Sequence, residues 1–116
     1  MALRSRRLDQ IWRPDQRPAT RKAEYERNLR NAIAGTWLVE MRYGEDETWR
    51  RFAPYAIFRT PQGKVNLAAR PEDGGALVIF EIGRITGLKL PGEPFEPEAG
   101  FDRAGLSREG VLLCSV

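Results

Sequence analysis

Residues 37–90 read WLVEMRYGEDETWRRFAPYAIFRTPQGKVNLAARPEDGGALVIFEIGRITGLKL, and this stretch decides the fold. Its apolar residues recur every second position in short runs broken by Gly, Pro and acidic turns, a pattern of strands rather than helices. Trp37, Val39, Met41 and Tyr43 share one face of a first strand, with Leu38, Glu40 and Arg42 on the other. At this spacing Trp37 is expected in the core. Gly44 to Thr48 makes an acidic turn. A second strand runs from about Trp49 to Arg59, with Phe52, Ala56 and Phe58 on one side and Arg51, Tyr55 and Ile57 on the other. Pro54 has no N–H to give a ladder, so it marks an edge or a bulge where the strand bends.

The turn Thr60 to Gly63 leads to a third strand over Val65 to Ala69. Pro71 to Gly75 forms a hairpin loop. A fourth strand covers Ala76 to Ile82 and a fifth covers Ile85 to Leu90, separated by Gly83 and Arg84. Five strands with one packing helix predict a mainly β domain with an N-terminal helix, the size of a small five-stranded SH3-like or Sm-like barrel.

Outward from this stretch, residues 18–34 read as a helix, with Tyr25, Leu29, Ala32 and Ile33 as its apolar stripe and Glu26–Arg30 as an i,i+4 pair. Pro18 suits the first turn, and Gly35 is expected to end the helix in a left-handed conformation. Residues 1–17 form a basic arm, in which Leu8, Ile11 and Trp12 suit one amphipathic turn after Ser5. Residues 91–102 (PGEPFEPEAGFD) are irregular, with Phe95 and Phe101 expected to pin them to the domain. Residues 103–116 are read as a tail whose apolar end, Gly110 to Val116, adds an edge strand or docks on a partner. The domain boundaries are thus 1–17, 18–102 and 103–116.

Composition narrows the function. The chain has 116 residues, no histidine and one cysteine. Without histidine, the commonest general base, the commonest metal ligand and histidine-based triads are gone. No internal disulfide is possible, and no histidine stands by to activate Cys114. The acidic groups Glu45–Glu47 and Glu93, Glu96, Glu98 fall in turn-like stretches, so they read as solvated loops. No phosphate-cradling glycine motif occurs. The expectation is a non-enzymatic protein with no cofactor and no metal. No stretch reads as a secretory signal or a membrane span, which leads to an expected cytoplasmic location with no membrane partner.

The net charge is +3, but residues 1–30 hold nine Lys/Arg against four Asp/Glu. The basic character therefore lies in the N-terminal arm, where it suits nucleic acid, an acidic protein or simple solvation.

The run from about Leu29 to Asp102 resembles the WYL domain, a bacterial module with an Sm-like barrel. A helix with Ala32 near its end precedes a strand closing on Tyr43. Phe52, Ala53, Pro54 and Ile57 follow. The family's name-giving strand reads Val65, Asn66, Leu67, so two of its three residues are replaced. Phe80, Glu81, Ile82, Gly83, Arg84 and Ile85 match the next segment, with Gly83 where the family often has Asp. Phe95, Glu96, Pro97 and then Phe101, Asp102 match the last. The resemblance implies a sensor module of transcription regulators, without the helix-turn-helix domain that usually precedes it. It also implies a polar patch that binds nucleic acid or another ligand, with Arg84 and Tyr43 as its surviving members.

The candidate binding residues are Arg84, Tyr43, Asn66, Arg50, Arg51 and Trp49. An arginine can grip phosphate or carboxylate bidentately, and Arg84 stands between two apolar strands. Its alternative role is structural, bonding loop carbonyls or Glu81. Arg50 and Arg51 point to opposite faces, so at most one joins Arg84. Asn66 offers base-edge hydrogen bonds, and Trp49, beside a turn, is the aromatic expected to be exposed for stacking. Two functions follow: a regulatory module binding single-stranded nucleic acid or a small anionic ligand, or a protein-interaction module acting as a homodimer or with a partner protein.

Overall fold

The computed structural model describes residues 18–116, with side-chain environments from Thr20 onward. The basic arm, including Leu8, Ile11 and Trp12, lies outside the described residues.

The chain is mainly β. Helix α1 (Pro18–Gly35) is followed by strands β1 (Val39–Tyr43), β2 (Asp46–Arg59), β3 (Val65–Pro71) and β4 (Val78–Glu81). A one-turn 3-10 helix, Ile82–Arg84, leads to β5 (Ile85–Lys89), then a short helix α2 (Arg103–Ser107) and β6 (Val111–Ser115). All pairings are antiparallel, and the strand order is β4-β3-β2-β1-β5, with β6 added to β2.

This is a six-stranded sheet that is not closed, which corrects the expected five-stranded barrel. No β4–β5 ladder exists among the described residues. The two ends of the path are joined only by the 3-10 turn, and β4 is four residues long. The added strand comes from the apolar C-terminal stretch, so residues 103–116 do not hang free. Leu106 is buried, and Ala56, Ile57, Phe58 and Arg59 pair with Ser115, Cys114, Leu112 and Val111.

Pro54 explains how one strand serves both halves. On one edge of β2, β1 pairs up to Phe52 and β6 starts at Ala56. Pro54 sits in the gap, where no neighbour asks for its missing N–H. On the other edge the β2–β3 register shifts between Pro54 and Ala56. A bulge of this kind inverts face parity beyond it. Hence Phe52 packs with Ile57 in the main core, while Ala56 and Phe58 face a second cluster. The sequence alternation, which grouped Phe52 with Ala56 and Phe58, misses this inversion.

The main core unites α1 (Leu29, Ala32, Ile33) with Val39, Met41, Leu67, Phe80, Ile82 and Ile85. Leu29 and Ala32 are fully buried, and burying a leucine side chain contributes about 2 kcal/mol. On the far side of β2 and β3, Leu106 and Leu112 cover Phe58 and Ala68, while Phe95 and Phe101 lie against Tyr55. Because both sides are covered, residues 52–58 are buried without interruption.

Helix α1 ends in a double hydrogen-bonded turn. The Trp37 N–H donates to the Ala32 carbonyl at 2.8 Å and the Thr36 N–H to the Ile33 carbonyl at 3.3 Å. This cap puts one residue in the left-handed region, and that residue is Thr36, at φ 54°, rather than Gly35. Trp37 then lies outside the core. It is 39% exposed, bridged to Pro94 and laid against Gly35 ahead of β1.

Candidate functional site

Arg84 and Tyr43 come together. β1 carries Tyr43 at its end, paired with Ile85 of β5 across an irregular register, and the 3-10 turn brings Arg84 back over the ring. The Arg84 guanidinium carbon stands 5.4 Å from the Tyr43 ring centroid, and the Gly44 N–H donates to the Arg84 carbonyl at 2.9 Å. A cation over an aromatic face at this range is held by the ring quadrupole. Tyr43 is itself fixed edge-on against Phe80, centroids 5.0 Å apart, and its hydroxyl accepts from the Glu81 N–H at 3.0 Å. Arg84 is exposed and makes no ion pair among the described residues. Its donors face solvent, oriented by an aromatic ring rather than consumed by a carboxylate.

The other four candidates are placed elsewhere. Asn66 pairs with Glu81 and Phe58 across the ladders, on the face opposite Leu67 and the main core. Its Oδ1 is enclosed and lacks a hydrogen-bond partner among the described residues, and it does not join Arg84. Arg51 is bound by three carboxylates: Glu40 at 2.9 Å, Glu93 at 2.7 Å and Glu72 at 3.6 Å. Hydrogen bonding to Glu40 raises its pKa further, so it acts as a clamp between β1, β2, the loop after β3 and the segment after β5. Arg50 is exposed and ion-paired with Asp46 at 3.2 Å. The Thr48 N–H and Arg50 hold the Asp46 carboxyl below the usual carboxylate range.

Trp49 is half-buried rather than open. Arg42 approaches to 4.7 Å and Lys89 to 4.0 Å from its ring centroid. Arg42, Lys89 and Gly87 beside them were missed in the sequence. Only the register, which pairs Arg42 with Gly87 and Glu40 with Lys89, reveals the grouping.

Cys114 lies in β6 with its thiol pKa raised by burial. No group of three or more Cys, Asp or Glu side chains is arranged to hold a metal among the described residues. No helix there is long and apolar enough to cross a membrane.

No family model matches the chain, and neither does any curated protein. Among solved structures, the chain is similar to Proteasome accessory factor B/C (PafBC) of Arthrobacter aurescens, at 17% identity and a TM-score of 0.61. The match covers 77% of this chain and spans 14% of that protein. At this identity it shows a shared fold alone.

Proposed function

We propose that the chain is a non-enzymatic regulatory module that binds a nucleic acid or small anionic ligand through Arg84 on its Tyr43 platform. The carrying observation is the exposed Arg84 guanidinium, held 5.4 Å from the Tyr43 ring with no carboxylate partner among the described residues. A planar fork of N–H donors kept in place by stacking is suited to phosphate or carboxylate, because little side-chain entropy is lost on binding. The fold likeness to PafBC, a regulator with a WYL domain, supports a regulatory role. Of the six residues read as candidates, Arg84 and Tyr43 form the proposed site; Arg51 and Asn66 are left out of it.

The test is equilibrium binding of single-stranded oligonucleotides and of small phosphorylated ligands by the full chain and by Arg84→Ala. The reading requires that Arg84→Ala weaken binding about tenfold for the lost phosphate contact. Undiminished binding by that variant would remove Arg84 from the function.

A second reading, a protein-interaction module, is favoured by the apolar edges. Val78 and Ile79 on β4 are 39% and 46% exposed, and Val111 on β6 is 64% exposed. Among the described residues both strands have an unpaired edge, which invites strand addition. Light scattering on the full chain and on Ile79→Lys separates the two states. A monomer in both would dismiss the homodimer.

A further inference from the structure

We infer that Arg42, Trp49 and Lys89 form a second phosphate-binding site, separate from Arg84, on the face of β1, β2 and β5 turned away from the main core. The site is assembled by register. Val39 and Met41 enter the core, so their neighbours Glu40 and Arg42 face outward. Across the β1–β5 ladder, Arg42 is opposite Gly87 and Glu40 is opposite Lys89. Across the β1–β2 ladder, Glu40 is opposite Arg51, which puts Trp49, two residues earlier, on the same outward face.

The result is two cations on one ring, Arg42 at 4.7 Å and Lys89 at 4.0 Å from its centroid. Neither cation makes an ion pair among the described residues. The nearest acid by register, Glu40, is already committed to Arg51 at 2.9 Å. The Arg42 Nε is enclosed and has no hydrogen-bond partner among the described residues. Gly87 is the floor: a Cβ there would come within 2.8 Å of the Trp49 ring and 2.9 Å of the Arg42 Nε, so the grouping fits only above a glycine.

Two like charges repel when drawn to one ring, and the ring quadrupole only partly offsets this. A shared anion removes the repulsion and takes up the outward-facing donors of Arg42 and Lys89, leaving the enclosed Arg42 Nε against the Gly87 floor. A phosphate suits the pair better than a carboxylate. It offers several acceptor oxygens, enough for the planar fork of arginine and the point charge of lysine together. The acidic turn Glu45–Glu47 flanks the depression on the Arg42 side, so an anion enters from the Lys89 side. Asp46 within that turn is neutralised by Arg50.

Trp49 is its own reporter. In a Trp12→Phe, Trp37→Phe background of the full chain, Trp49 emission is titrated with inorganic phosphate, adenosine 5′-monophosphate, a ten-residue oligothymidylate and a glutamate decapeptide. A saturable change with the phosphate-bearing ligands is expected. An advantage of oligothymidylate over inorganic phosphate assigns the source to a nucleic acid strand, and parity assigns it to free phosphate compounds. Lys89→Gln, an exposed substitution, should weaken the response about tenfold and lower the slope of log affinity against log salt by about 1. Arg42→Gln should do the same, with circular dichroism reporting its folding. No emission change with any phosphate ligand overturns the site. So does a change that survives Lys89→Gln, an equal response to the decapeptide, or a response abolished by Arg84→Ala alone. The last outcome would leave the Arg84 reading standing, and oligonucleotide binding undiminished by Arg84→Ala, with a Trp49 response that Lys89→Gln weakens, would do the reverse.

Discussion

Gly87→Ala tests whether the Trp49 grouping is as tightly assembled as its distances imply. The added methyl would meet the Trp49 ring at 2.8 Å and the Arg42 Nε at 2.9 Å, closer than non-bonded contacts allow. Gly87 is buried in β5, so the methyl has no solvent to turn toward. Overpacking of this kind costs about 1–3 kcal/mol. The loss of unfolded-chain freedom on replacing glycine returns about 0.4–1 kcal/mol. The net expectation is a destabilisation of about 1–2 kcal/mol, or a fall in melting temperature of roughly 5–10 °C for a domain of this size. The strain is relieved by moving the indole outward, so Trp49 emission should shift to the red in the Trp12→Phe, Trp37→Phe background. Thermal denaturation and emission spectra read both effects. An unchanged or raised melting temperature with unmoved emission would show that the indole does not rest on Gly87, and the geometry of the outward face would have to be abandoned.

Thr36→Gly should stabilise the fold. A β-branched residue at φ 54° carries about 1–2 kcal/mol of strain, glycine's extra unfolded freedom costs about 0.5–1 kcal/mol, and a gain of about 0.5–1 kcal/mol in chemical denaturation is expected; a loss would refute the cap assignment. Gly110→Ala should unseat β6, because the new Cβ would overlap the Arg59 carbonyl, a backbone atom that cannot step aside; a loss of about 2 kcal/mol or more is expected, and wild-type stability would mean that β6 does not pair with β2 as described. Cys114 should react slowly with a disulfide reagent at pH 8, since burial raises its pKa in the folded chain. Its protonated form is favoured by folding, so its contribution to stability is complete below the unfolded thiol pKa and is lost as pH rises through the folded value; a native reaction rate equal to that of the denatured chain would contradict this placement.

The period-two stretches, the helix over residues 18–34, the Pro54 bulge and the pinning role of Phe95 and Phe101 were legible because each is a local signal. Closure was not. Five short strands of suitable size suggest a barrel, yet whether β4 meets β5 depends on the 3-10 turn between them, which the residues Ile82, Gly83 and Arg84 do not announce. The apolar run Val111 to Val116 showed that something would pair with it, but its partner is the second half of β2, opened by the same proline that ends pairing to β1. In the site, Arg84 over Tyr43 could be anticipated from resemblance. Arg51 looked equally available, and only three-dimensional proximity to Glu40, Glu72 and Glu93 shows why it is not. Trp49 was singled out as an aromatic beside a turn, but its two cations come from strands seven and forty residues away.

The most direct test of the central claim is the salt dependence of oligonucleotide binding by the full chain and by Arg84→Lys and Arg84→Ala. A guanidinium engaged with a phosphate predicts a linear fall of log affinity with log salt, a slope reduced by about 1 in Arg84→Ala, and partial retention in Arg84→Lys, which keeps the charge and loses the fork. Three identical lines, or affinity indifferent to salt, would contradict it.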